Sequence, residues 1–170
     1  DPKFERILIV TDKNVALKSP AVDAVRFELR PRQVELYQDV VENPAFENIE
    51  DGARMARDLR AEIIIGVGGG SAMDAAKGIA LLTANDKGLG AYLNGERPEN
   101  PALPVVCVPT TSGSGSEVTP YAVFTDVKNR NKVGYANSSL FPIWSVVDPE
   151  LTYTMPEPVI IHTGLDALTH

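Results

Sequence analysis

The sequence has 170 residues, with 16 Lys+Arg against 23 Asp+Glu, one Cys, 13 Gly, 13 Pro and 44% hydrophobic residues, which excludes wholesale disorder and suits one domain or one domain plus part of another. A net charge of −7 argues against a nucleic-acid partner, no apolar run nears the roughly 20 residues that span a bilayer, and one Cys forms no internal disulfide. A soluble, cytoplasmic, acidic protein without a membrane partner is expected.

In chain order, residues 6–11 read as a buried strand through Ile7, Leu8, Ile9 and Val10. Ser19 before Pro20 signals a helix start, carried by Val22, Val25, Phe27 and Leu29 up to Pro31. Residues 34–37 read as a second strand and Asn43-Pro44 as a turn, after which Phe46, Ile49, Ala53, Ala56 and Leu59 recur at helical spacing. Residues 62–67 are the strongest strand, because Ile63, Ile64 and Ile65 are apolar toward both faces, as in a buried parallel sheet. Gly68, Gly69 and Gly70 end it, and Ser71 opens a helix over 72–83. Residues 88–104 read as a surface loop and 104–108 as a buried strand. Weaker strands follow at 121–125 and 132–135, then a last strand at 145–147 and a new helical region from 156. This alternation predicts an α/β fold with a parallel sheet covered on both faces and a domain border near 151–156. The first residue is not Met and the last lies within a predicted helix, so the sequence reads as part of a longer chain.

Several features point to chemistry. The strand–glycine loop–helix at 63–77 offers close backbone approach and a helix N-terminus, which suit a pyrophosphate. The other reading is a glycine turn capped by Ser71, with Asp74 completing a capping-box-like pair. The loop matches neither the Gly-x-Gly-x-x-Gly fingerprint, since Ser71 stands where Gly is required, nor a P-loop. Five of the seven residues 110–116 carry hydroxyls and two are Gly, a composition suited to a sugar, phosphate or amide ligand, or to a flexible turn. Asp12 ends the first strand, where a carboxylate binds ribose hydroxyls and repels a 2′-phosphate, or simply caps a turn. Lys77 and Lys132 read as solvated. Asp166 and His170 are i and i+4 on a helix, able to share a metal or to form an ordinary surface pair, with His162 one turn earlier.

Taken together, Gly-Gly-Gly-Ser-Ala-Met-Asp-Ala-Ala-Lys at 68–77, Thr-Thr-Ser-Gly-Ser-Gly-Ser-Glu-Val-Thr at 110–119 and Gly-Leu-Asp-Ala-Leu-Thr-His at 164–170 resemble the iron-containing (group III) alcohol dehydrogenase family. Order and spacing match over essentially the whole sequence. The resemblance implies a Rossmann-like dinucleotide-binding domain over residues 1–152, and over 153–170 the first helix of an all-helical metal-binding domain. It implies that Gly69, Gly70 and Ser71 hold the pyrophosphate of NAD, and that Asp12 lies at the adenosine ribose and favours NAD over NADP. Asn43 would stand on the adenine side. Thr110, Thr111, Ser114 and Thr119 would line the cofactor, with Ser114 where relatives often have Thr, and Lys132 would approach the nicotinamide ribose. Asp166 and His170 match the first two protein ligands of a divalent metal, usually Fe²⁺ and sometimes Zn²⁺; family members supply two further His ligands downstream. His162 matches no ligand. The expected activity is hydride transfer between an alcohol or aldehyde and NAD, with no catalytic side chain beyond the metal ligands and with this portion inactive by itself. A homodimer is the commonest state in the family. A glycerol or polyol dehydrogenase of the same superfamily and a non-catalytic nucleotide-binding module are the alternatives.

Overall fold

Runs of β-branched residues that end in glycine or hydroxyl-rich turns dominate the chain, and a computed structural model, describing residues 4–127 and 129–169, shows what they build. Strand β1 (Arg6–Asp12) leads into two short helices, α1 (Lys13–Lys18) and α2 (Ala21–Glu28), and then to β2 (Gln33–Val40). Helix α3 (Phe46–Leu59), strand β3 (Ile63–Gly68) and helix α4 (Gly70–Thr83) follow. A short α5 (Leu89–Leu93) precedes β4 (Val105–Pro109), the hairpin β5 (Tyr121–Asp126) and β6 (Asn131–Ala136), the two-residue β7 (Trp144–Ser145) and α6 (Glu157–Thr169). Five strands form one parallel sheet in the order β2-β1-β3-β4-β7, and β5 pairs antiparallel with β6 as a separate ribbon.

All residues of β3 and β4 are buried, as are the five inner residues of β1. Alternation along these strands divides the core. Leu8, Val10, Ile64 and Cys107 pack with Ile49, Ala53, Met73 and Ile79 of α3 and α4, while Ile7, Ile9, Ile65 and Val106 pack with Ala21 and Val22 of α2. The predicted Rossmann-like sheet with helices on both faces is thus observed. In β5, Ala122 and Phe124 point into the α3–α4 core between exposed Tyr121 and Val123, which docks the hairpin against α4. No helix among the described residues is long and apolar enough to cross a membrane.

Three local differences from the sequence reading have physical causes. Helix α1 was not anticipated, because none of its residues is buried and it carries no apolar stripe; the Asp12 side chain caps it. The segment 88–104 is not plain loop: it contains α5, whose Leu89 and Tyr92 fill the core. The last strand is shorter than expected and ends at Ser145, leaving Val146 and Val147 exposed.

Candidate functional site

Chain order and strand order reverse between β1 and β3: from β1 the chain turns outward to β2, then returns to the other side for β3. Such a switch point leaves a crevice at the carboxyl ends of the strands, where open α/β sheets bind ligands. Here it is a cleft of about 810 Å³, within the range of small-molecule and cofactor sites. Its walls come from the ends of β1 (Asp12), β2 (Asp39), β3 (Gly69, Gly70, Ser71) and β4 (Thr110, Thr111), with His162 and Thr163 of α6 closing one side.

The glycine loop has no room for side chains. Gly68 holds φ +146, in the range that favours glycine, and a Cβ there would lie 2.8 Å from the Ala72 Cβ. At Gly69 a Cβ would lie 3.0 Å from Thr111 Oγ1, and at Gly70 it would lie 2.9 Å from the Ser114 Cβ. Register explains this closeness. Gly68 pairs with Pro109, and the Thr110 N–H donates to the Gly68 carbonyl at 2.9 Å, so the two loops leave adjacent strands at the same level. Gly69 is the N-cap of α4 and no side chain caps the helix, which directs its positive end toward the cleft.

The capping box read from the sequence is not formed. Ser71 lies inside the first turn of α4, and its Oγ accepts the Asn43 N–H at 3.2 Å. Asn43 adopts a left-handed φ of 55, a conformation asparagine tolerates better than most residues. Asp74 faces inward instead, accepting the Ser116 hydroxyl and the Val123 N–H.

Lys77 corrects a second expectation. Read as solvated, it is fully buried, and its Nζ donates to the carbonyls of Ser116 at 2.7 Å, Thr119 at 2.8 Å and Tyr121 at 2.7 Å. Burial pulls the Lys77 ammonium below its ordinary value and pushes the Asp74 carboxyl above its own, while their mutual attraction opposes both. The nearby Cys107 thiol is pushed up to about 12 by burial, so it is no nucleophile at neutral pH.

The remaining expectations divide. Asp12 does two things: it borders the cleft, and its Oδ1 accepts the N–H groups of Asn14 at 2.8 Å and Val15 at 3.0 Å. Ser114 abuts Gly70 from behind, Asn43 holds Ser71, and Thr119 contributes its carbonyl to Lys77; none of the three is part of the cleft wall. Lys132 lies on exposed β6 opposite Thr125 and is likewise outside that wall. Asp166 packs on the hydroxyl loop: a Cβ on Gly113 would lie 2.9 Å from its Oδ2. His170 lies outside the described residues. Among those residues, no group of three or more His, Cys, Asp or Glu is placed to hold a metal.

Sequence reasoning missed Asp39 and His162 as cleft residues. Asp39 pairs with Lys13 at 2.8 Å at the rim. The argument applied to Asp12 would have found it had β2 been extended beyond Tyr37.

The family described as iron-containing alcohol dehydrogenase matches residues 2–149. The chain is 41% identical over 171 residues to long-chain-alcohol dehydrogenase 1 of Geobacillus thermodenitrificans, which covers 98% of this chain and 42% of that protein. Among solved structures, an iron-containing alcohol dehydrogenase of Thermotoga maritima superposes with a TM-score of 0.89 at 37% identity, over 98% of this chain and 46% of that one. Sulfoacetaldehyde reductase from Bifidobacterium kashiwanohense, solved in complex with NAD⁺, superposes with a TM-score of 0.87 at 31% identity, over 96% of this chain and 43% of that one. The chain therefore spans under half the length of these relatives. With motifs, strand order and cleft all in agreement, it belongs to the iron-containing alcohol dehydrogenase family.

Proposed function

We propose that residues 1–152 bind NAD for an oxidoreductase acting on a small alcohol or aldehyde, and that residues 153–170 begin a helical, substrate-side region. The observation that carries this reading is the convergence of Asp12, the glycine loop and the hydroxyl loop on one cleft at the switch point. The residues fit a dinucleotide. Gly69 and Gly70 let the hydroxyl loop close against the glycine loop at the cleft, and the uncapped start of α4 suits a pyrophosphate. The hydroxyls of Ser71 and Thr111 at the cleft offer hydrogen bonds to sugar or phosphate, and Asp12 supplies an acceptor for ribose hydroxyls. The NAD⁺ complex of the sulfoacetaldehyde reductase relative supports the choice of nucleotide. When bound, NAD⁺ supplies the hydride acceptor; the protein's part is to hold and orient it.

The described residues do not complete a metal site, since Asp166 is the one expected ligand among them.

Calorimetric titration with NAD⁺ and NADP⁺, for this chain and its Gly69→Val variant, tests the reading. Saturable NAD⁺ binding that weakens in the variant is expected, because the added side chain meets Thr111. No binding, or binding indifferent to the substitution, would overturn it.

A further inference from the structure

Lys77 and Asp74 stand one turn apart on α4, the helix whose first residues form the glycine loop. Neither reaches the cleft. Between them they make five hydrogen bonds to the segment 116–123: three from Lys77 Nζ to carbonyls and two to the Asp74 carboxylate, from Ser116 Oγ and from the Val123 N–H. Three carbonyl acceptors call for all three N–H donors of an ammonium, so the acceptor set specifies the charged form. Asp74 supplies the compensating charge inside the same buried layer.

These bonds act on the hydroxyl loop from its far end. At its near end the loop is tied to β3 by the Thr110 N–H on the Gly68 carbonyl at 2.9 Å. From there to Ser116 it runs through Gly113 and Gly115, both at positive φ, with Ser114 resting on Gly70. A loop of small residues with two such glycines has little stiffness of its own. Apart from the exposed Ser112 Oγ donating to Thr163 Oγ1 of α6 at 3.3 Å and the packing of Gly113 on that helix, its seat against the glycine loop depends on how its ends are held.

We propose that Lys77, together with Asp74, is a positioning residue of the nucleotide cleft: the pair holds the far end of the hydroxyl loop so that Thr111 and Ser114 lie against Gly69 and Gly70. The inference rests on the NAD-binding reading above and adds a buried residue that touches neither cofactor nor substrate.

The test compares this chain with Lys77→Met and Ser116→Ala by amide hydrogen exchange, with NAD⁺ titrated into each. Ser116→Ala removes one donor to Asp74 and leaves Lys77 in place, so it serves if Lys77→Met does not fold. Exchange over 110–119 should accelerate about tenfold or more in Lys77→Met, with amides of β1, β3 and β4 unchanged. The NAD⁺ Kd should rise by about tenfold, the loss corresponding to one well-placed hydrogen-bonded contact. Ser116→Ala should shift both readouts in the same direction by less. Three results would overturn the proposal: loop exchange unchanged in both variants, acceleration spread equally over the central strands, or a loosened loop with unaltered NAD⁺ affinity. If the unaltered chain binds no NAD⁺, the functional reading falls, and the exchange comparison still decides whether the pair holds the loop.

Discussion

Asp12 is the residue at which the capping role and the proposed binding role can be separated by two substitutions. Its Oδ1 accepts two N–H groups at the start of α1, and its carboxylate borders the cleft. Asp12→Asn keeps a capping oxygen and removes the charge, whereas Asp12→Ala removes both. Loss of an N-cap costs about 0.5–2 kcal/mol, and the lower part of that range applies here, because α1 has six residues and buries none of them. The binding consequence follows from Coulomb's law. A 2′-phosphate of about −2 charge at ~5 Å from a carboxylate in bulk-water dielectric is disfavoured by about 1.7 kcal/mol, somewhat more than tenfold in Kd. Denaturant unfolding of the three proteins, with calorimetric NAD⁺ and NADP⁺ affinities, gives both readouts. Asp12→Asn should retain stability within about 0.5 kcal/mol and lose most of the preference for NAD⁺, while Asp12→Ala should lose the preference and the cap together. An unchanged NAD⁺/NADP⁺ ratio in Asp12→Asn would reduce Asp12 to a capping residue. Equal stabilities of the two variants would refute the capping argument.

Gly113 has φ +96, and a Cβ there would lie 2.6 Å from the backbone carbonyl of Thr163. Gly113→Ala should therefore loosen α6 from the hydroxyl loop at a cost of about 1–3 kcal/mol. Hydrogen exchange would show this as faster α6 amides, and unchanged α6 protection would contradict the packing argument. Tyr37 donates its hydroxyl to the Asn48 carbonyl at 2.7 Å, and burial raises its pKa from 10.0 to about 12. A group whose folded pKa is raised stabilises fully below the unfolded value and loses that contribution as pH climbs to the folded one. Stability should thus fall between about pH 10 and 12 in the native chain, and the fall should be smaller in Tyr37→Phe when denaturant midpoints are compared across that window.

The elements legible in the sequence were those whose pattern is local. Ile63, Ile64 and Ile65 announced a strand buried on both faces, and the spacing of Phe46, Ile49, Ala53, Ala56 and Leu59 marked α3 to its final residue. Helix α1 was hidden because a single cap holds it and no apolar stripe shows it. The glycine loop was legible as a place of close backbone approach, but the object approached is the hydroxyl loop, where Thr111 meets Gly69 and Ser114 meets Gly70. That contact follows from β3 and β4 being adjacent and in register.

Composition, periodicity and the three motifs by themselves determined the α/β class, the parallel sheet and the glycine and hydroxyl-rich loops at the strand ends, since each depends on neighbours within a few residues. Only the tertiary structure decided which side chains face those loops. It sent Lys77 inward to three carbonyls, turned Asp74 from the capping position to Ser116 and Val123, and drew Ser71 toward Asn43. The physical reason is that a polar side chain goes where its hydrogen bonds can be completed. For these residues the partners are 28 to 49 positions away in sequence and adjacent only after the sheet has formed.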